Sequence, residues 1–291
     1  MSDVIVSKGH GLGNDYLITD ASRLPAPLSP ARIRFLCDRH RGLGSDGILL
    51  ADLRDGIALR IFNPDGSEAE KSGNGLRIFG AWLYRHGLVG LDEWFEVRLL
   101  RDTVRMRVEA ELEYGALRIR AELGRAVFRG QAVGFQPRAD EVLDFELALP
   151  AGGSARINTV SLANPHCVVF VDVLERADFL VRAPQLCTHP EFAAGTNVQF
   201  ARVVGPRTIE AWIWERGVGE TLASGSSASA VSAAAVRRGL VPGGALQVVM
   251  QGGTADIKVT PDYQVILVAP AQLIYTANLE RGAEDEYLAL E

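Results

Sequence analysis

Short apolar runs bounded by Gly, Pro, Asn and Asp dominate the chain, and this pattern predicts strands. In the first half they are "VIVSK", "GILLADL", "IALRIF", "WFEVRLL", "TVRMRVEA" and "ALRIRAEL". "VLDFELAL", "CVVFVDV", "NVQFARVV", "TIEAWIWE", "LQVVMQ", "ADIKVT" and "QVILVA" follow in the second. Three stretches predict helices. One is "SPARIRFLCDRH", with Ser29 as N-cap and Pro30 at the first helical position. The others are "SGNGLRIFGAWLYRHGLV" from Ser72 and "SGSSASAVSAAAVRRGLV" from Ser224.

The latter two helices match each other. Both open with Ser-Gly and run apolar, so both are expected to be buried. Both close on a basic pair, Arg85-His86 or Arg237-Arg238, and then a glycine, Gly87 or Gly239, with Leu-Val beyond. The offset is 152 residues, from 72 to 224, and Glu68 and Glu220 repeat it. An internal duplication follows. Each half is then a strand-rich domain with one buried helix, an α/β (α+β) protein of two pseudo-symmetric domains. The expected boundaries are 1–120 plus 270–291 for one domain and 121–269 for the other.

Composition narrows the class. With 47% hydrophobic and 23% charged residues, the 291-residue chain reads as globular and long enough for two cores. A net charge of −6 speaks against a nucleic-acid or anionic-membrane surface. No apolar run suits a membrane helix, and "MSDVIVSKGHG" lacks a signal-peptide layout. Cys37, Cys167 and Cys187 follow no zinc or redox spacing, so a cytoplasmic address with reduced thiols is expected.

Polar residues collect in loops at strand ends. These loops hold His10, Asn14 and Asp15; Asp38, His40 and Asp46; Asn63, Asp65 and Glu68; Asn164 and His166; Asn197; and Glu215, Arg216 and Glu220. The asparagines with the Glu215-Arg216 pair suit a small zwitterion. Amides and Glu accept from an ammonium, and Arg grips a carboxylate with two bonds. Individually, the same Asn and Asp residues also suit turns. Helix N-termini at Gly73-Asn74 and Gly225-Ser226 offer N–H groups to an anion. Nothing in the pattern calls for a metal or a cofactor.

"KGHGLGNDY", "CDRHRGLGSDG", "FNPDGSEAEKSGNGLR", "ANPHC", "WERGVGETLASGS" and "APAQLIYTANL" resemble, in order, the motifs of diaminopimelate epimerase. The resemblance runs over essentially the whole chain. It implies cofactor-independent interconversion of L,L- and meso-diaminopimelate, on the route to lysine and peptidoglycan. It implies two barrel-like domains, each wrapped round a central helix, with the active site in the cleft between them. Asn14, Asn63, Asn164, Asn197, Glu215 and Arg216 match substrate-holding residues. Gly73, Asn74, Gly225 and Ser226 match the helix N-termini that take the reacting carboxylate. His166 and Glu215 match groups beside the catalytic pair, and Tyr275 matches a residue of the homodimer interface.

The departure lies at the catalytic pair itself. The family has cysteine at both positions, where this chain has Ser72 and Ser224. A thiol titrates near 8.5, whereas a serine hydroxyl is far less acidic and needs an activating base. Three readings follow: substitutions made to trap substrate, a slow or diverged amino-acid epimerase, and a protein that binds a diaminopimelate-like ligand without turnover. Ser227 and Ser229 also depart from the family's "GSGAC" run, which a trapping design would not require.

Overall fold

The computed structural model describes residues 4–136 and 140–290. Contacts divide the chain into two units, Met1–Ala121 with Pro270–Glu291, and Glu122–Ala269.

In the first unit, β1 (Ile5–Gly11) and β2 (Asn14–Asp20) form an antiparallel hairpin. Its two loop residues, Leu12 and Gly13, both take positive φ (57° and 89°), as tight hairpin turns demand. Helix α1 (Pro30–Cys37) carries the chain over to β3 (Ile48–Asp52), which lies parallel to β2. Ser29 caps α1 as expected, its Oγ accepting from the Arg32 amide. β4 (Ala58–Phe62) and β5 (Glu68–Ala69) then add antiparallel neighbours. After α2 (Gly73–Arg85) come β6 (Trp94–Arg98), parallel to β4, and β7 (Thr103–Glu111), antiparallel to β6. β8 (Leu117–Arg125) leads out of the unit.

The second unit repeats the scheme. After β9 (Phe145–Ala148), β10 (Ser154–Ser161) and β11 (Pro165–Phe170) form an antiparallel pair. Helix α3 (Arg176–Cys187) crosses to β12 (Asn197–Gly205), parallel to β11. β13 (Thr208–Glu215) and β14 (Gly219–Thr221) follow antiparallel, then α4 (Gly225–Arg237). β15 (Gly244–Met250) is parallel to β13, and β16 (Gly253–Val259) is antiparallel to β15. The long β17 (Gln264–Asn278) begins against β16 and ends against β1, where Tyr275 stands opposite Lys8. Helix α5 (Arg281–Ala289) ends the described chain.

Strand order, strand direction and helix placement thus repeat from unit to unit, and so does register. Leu17 faces Ile48, which faces Phe62; Cys167 faces Val198, which faces Trp214. Phe62 and Trp214 are themselves 152 residues apart, the offset of the two helices.

The strands of each unit pack round that unit's own helix, α2 or α4. In α2 every residue from Gly73 to Leu83 is buried, and in α4 every residue from Gly225 to Ala235. A helix apolar on every side can only lie inside a core. A second apolar cluster on the outer face uses α1 and α5 in unit one, through Ile33, Leu36, Cys37 and Tyr287. In unit two it uses α3, through Phe179, Ala183, Leu186 and Cys187.

The sequence pattern missed α3, α5, β2 and β10, and the short β5 and β14. In α3 an internal Pro184 breaks the pattern, and no side chain caps its start. "VLDFELAL" was expected to be a strand throughout, but only Phe145–Ala148 is one. β17 is longer than "QVILVA", because Pro270 interrupts its apolar run without ending the strand.

Candidate functional site

Ser72 and Ser224 are N-caps with nearly the same backbone, φ −135° and ψ 119° against φ −145° and ψ 123°. Ser72 Oγ accepts from the Gly75 amide at 3.0 Å, and Ser224 Oγ accepts from the Ser227 amide at 3.4 Å. The asparagine at each hairpin reaches the second residue of its helix. Asn74 Nδ2 donates to Asn14 Oδ1 at 2.8 Å, and Asn164 Nδ2 donates to Ser226 Oγ at 3.4 Å. Asn14 with Asn74 therefore corresponds to Asn164 with Ser226.

Below this layer the units differ. In unit one, Asn14 Nδ2 donates to Asp46 Oδ2 at 2.7 Å. Arg39 bridges Asp46 to Asp15, and Lys8 also pairs with Asp15 at 2.7 Å. Burial pushes the Asp15 carboxyl up, but bonds from Arg39 and Lys8 outweigh it and hold the group below the usual range. Burial and the Asp15 charge raise Asp46. From the helix side, the fully buried Arg77 donates to the Gly73 carbonyl at 3.2 Å and to Asn74 Oδ1 at 2.8 Å. Burial lowers its guanidinium to about 9. The amide of Asn74 is thus fixed from both ends.

In unit two, Gln199 Nε2 donates to His166 Nδ1 at 3.1 Å and to Ser227 Oγ at 2.9 Å. With Nδ1 accepting, the ring proton lies on Nε2, which donates to Asn164 Oδ1 at 3.0 Å. Burial, with the Arg216 charge, pushes His166 down to about 3. His166 is a neutral ring with both nitrogens engaged. Its Nε2 contact is with Asn164, whose amide bonds Ser226.

Asn197 lies opposite His166 in the parallel β11–β12 pair. Its Nδ2 donates to the Pro165 carbonyl at 3.0 Å, and its Oδ1 accepts from the Arg216 amide at 2.9 Å. Arg216 Nη1 donates to the Ala194 carbonyl at 3.1 Å, and half-buried Glu215 ends β13 just before it. The structure therefore gathers Ser224, Gly225, Ser226, Asn164, His166, Asn197 and Arg216. In unit one it gathers Ser72, Gly73, Asn74 and Asn14. Asn63 lies in the turn after β4, donating to Ser67 Oγ at 2.9 Å.

Sequence reasoning did not find Tyr16 or Gln199, whose partners are distant in the chain, nor Arg77, which bonds one turn back in its own helix. Tyr16 OH lies 3.2 Å from Ser72 Oγ. The thiols offer no substitute for the serines: Cys37, Cys167 and Cys187 are all buried. Burial raises Cys37 to about 11 and raises the other two as well.

The family model described as diaminopimelate epimerase matches residues 6–128 and 158–274. The two matched segments begin 152 residues apart, at 6 and at 158, which is again the helix offset. The chain belongs to the diaminopimelate epimerase family. It is 40% identical to diaminopimelate epimerase 2 of Nostoc sp. over 261 residues, 89% of each chain. It is 35% identical over 277 residues to diaminopimelate epimerase of Pelotomaculum thermopropionicum, covering 94% of this chain and 97% of that one. Among solved structures, a probable proline racemase of Agrobacterium radiobacter shares the fold, with a TM-score of 0.71 at 14% identity. That match covers 96% of this chain and 95% of the racemase. By class the protein is an isomerase, grouped with amino-acid racemases and epimerases. None of its described helices is long and apolar enough to cross a membrane.

Proposed function

We propose that this protein epimerises an amino-acid α-carbon without a cofactor, that its substrate is diaminopimelate, and that it does so slowly. The observation that carries this reading is the matched pair of capped helix starts at Ser72 and Ser224, each braced by a hairpin asparagine. One serine takes the α-proton and the other returns one. N–H groups at Gly73-Asn74 and Gly225-Ser226 hold the carboxylate and the charge that develops beside the carbanion. Asn63, Asn197, Glu215 and Arg216 hold the distal amino-acid end. His166 acts by aiming Asn164, and Glu215 stands beside the reacting group.

Ser227 and Ser229 support natural divergence over designed substitution. Ser227 Oγ accepts from Gln199, and Ser229 Oγ donates to the Gly225 carbonyl at 2.8 Å. Both hydroxyls are built into a buried network. The low acidity of two serines favours a second reading, a protein that binds diaminopimelate without turning it over.

We further read the protein as a cytoplasmic homodimer with Tyr275 at its interface. Support comes from the family resemblance and from the exposure of Tyr275 and Ile274 on β17.

Thermal stabilisation by L,L-diaminopimelate against L-lysine tests the substrate assignment. Lysine lacks the distal carboxylate, so diaminopimelate should stabilise and lysine should not, with Arg216→Ala erasing the difference. Equal stabilisation by both ligands contradicts the assignment.

A further inference from the structure

The register places Tyr16 and His166 at corresponding positions of the two units, each one residue before the position that faces Ile48 or Val198. Both residues carry a polar ring. Their bonds differ. His166 spends both nitrogens on Gln199 and Asn164, whereas the Tyr16 hydroxyl meets Ser72 Oγ directly at 3.2 Å. Ser224 Oγ has instead the Ser227 amide and Ser226 Oγ, both at 3.4 Å.

We propose that Tyr16 is the proton partner of Ser72, so that the pair forms a relay in place of a thiol. The proposal rests on the epimerase reading above. As a base, the phenolate of Tyr16 takes the Ser72 hydroxyl proton while Ser72 Oγ takes the substrate α-proton. One C–H bond breaks, the serine O–H is exchanged, and a tyrosine O–H forms. The negative charge passes from phenolate to carbanion. In the other direction the same steps run backwards, and the phenol supplies the proton. The Gly75 amide, 3.0 Å from Ser72 Oγ, steadies the oxygen during transfer.

The chemistry favours this division. A phenol titrates near 10, far closer to neutrality than an alcohol, so it supplies the acidity that serine lacks. Tyr16 is only 7% exposed, which keeps bulk water from most of the phenol. Gly47 lies along the ring: a Cβ there would meet Tyr16 Cε1 at 2.7 Å, so glycine lets the phenol sit where it does. The charged groups on surrounding elements are already engaged. Lys8, Asp15, Arg39 and Asp46 pair among themselves, Lys71 pairs with Asp102, and Arg77 bonds Gly73 and Asn74. Tyr16 acts through Ser72, so it is a positioning and relay residue.

The test is the pH profile of kcat/KM for α-hydrogen exchange in the full-length protein, with L,L-diaminopimelate as probe. The unsubstituted protein should gain rate with pH as the phenol ionises. Tyr16→Phe should lose that limb and fall about 100-fold, within the usual range of acid–base contributions. Replacing Tyr16 by 3-fluorotyrosine, a more acidic phenol of nearly the same shape, should move the limb to lower pH. This second variant keeps the test decisive if Tyr16→Phe folds poorly. In a Ser72→Cys background the Tyr16→Phe penalty should shrink, because a thiol needs no relay. Exchange with a limb that neither variant moves overturns the relay and leaves the epimerase reading standing. No exchange by the unsubstituted protein overturns both.

Discussion

Ser72 and Ser224 share a backbone conformation and differ in the groups around their hydroxyls. Among the described residues, the partners of the two hydroxyls are Tyr16, Gly75, Ser226 and Ser227, not a carboxylate or an imidazole, the usual means of activating serine. Ser72→Cys with Ser224→Cys should therefore raise turnover about 100-fold or more, because a thiol near 8.5 suits proton transfer at neutral pH. An exchange assay at pH 7.5 reads this directly, and an unchanged rate would remove acidity as the limiting factor. His166 makes a prediction about stability. Its pKa falls from the ordinary value near 6.5 to about 3 on folding, so between those values the unfolded chain binds the extra proton. The sign follows: its contribution is complete above pH 6.5 and is lost as pH drops towards 3, at about 1.4 kcal/mol per pH unit. Denaturant unfolding between pH 7 and pH 4 should show this slope, and His166→Gln should flatten it. Equal slopes in the two proteins would mean that the ring titrates normally in the native state.

The two central helices end by the same device. Leu88 N–H bonds the Leu83 carbonyl and Gly87 N–H bonds Tyr84; Leu240 bonds Ala235 and Gly239 bonds Val236. Gly87 and Gly239 sit at φ 69° and 70°, and an added Cβ at either would meet nothing within 4 Å. Only backbone strain is at stake, so Gly87→Ala and Gly239→Ala should each destabilise by about 1 kcal/mol and leave exchange unaltered. Urea unfolding midpoints check this, and no loss would argue against the left-handed termini. These helices were legible in sequence because their caps are local: Ser at the start, Gly past the end, apolar residues between. The same locality explains the misses. α3 lacks a side-chain cap and carries Pro184, although Phe179, Ala183, Leu186 and Cys187 keep a helical spacing. Tyr16, Arg77 and Gln199 acquire their roles from partners across a turn of helix, a strand or more than 25 residues of chain. No spacing in the sequence announces that.

For the molecule, the duplication first seen in two helices extends to strand order, strand direction and register in both units. It was readable because the two helices share a Ser-Gly start, a basic pair at the end and Gly-Leu-Val beyond it, whereas the strands that repeat around them have diverged in sequence. Residues of the candidate site follow the repeat partway: Asn14 and Asn164 correspond, and so do Asn74 and Ser226. Tyr16 and His166 occupy corresponding places and do unlike work. The homodimer reading has its own check. Tyr275→Asp on the exposed face of β17 should shift the sedimentation coefficient from dimer to monomer, and an unshifted boundary would place the interface elsewhere. The central claim is that two serines, one of them backed by a tyrosine, still move an α-proton. Proton NMR of L,L-diaminopimelate with the purified protein in D₂O tests it most directly. The account predicts slow loss of the α-hydrogen signal with growth of the meso form. An unchanged signal from a protein that diaminopimelate nevertheless stabilises against heat would contradict it, leaving a protein that binds the amino acid and does not epimerise it.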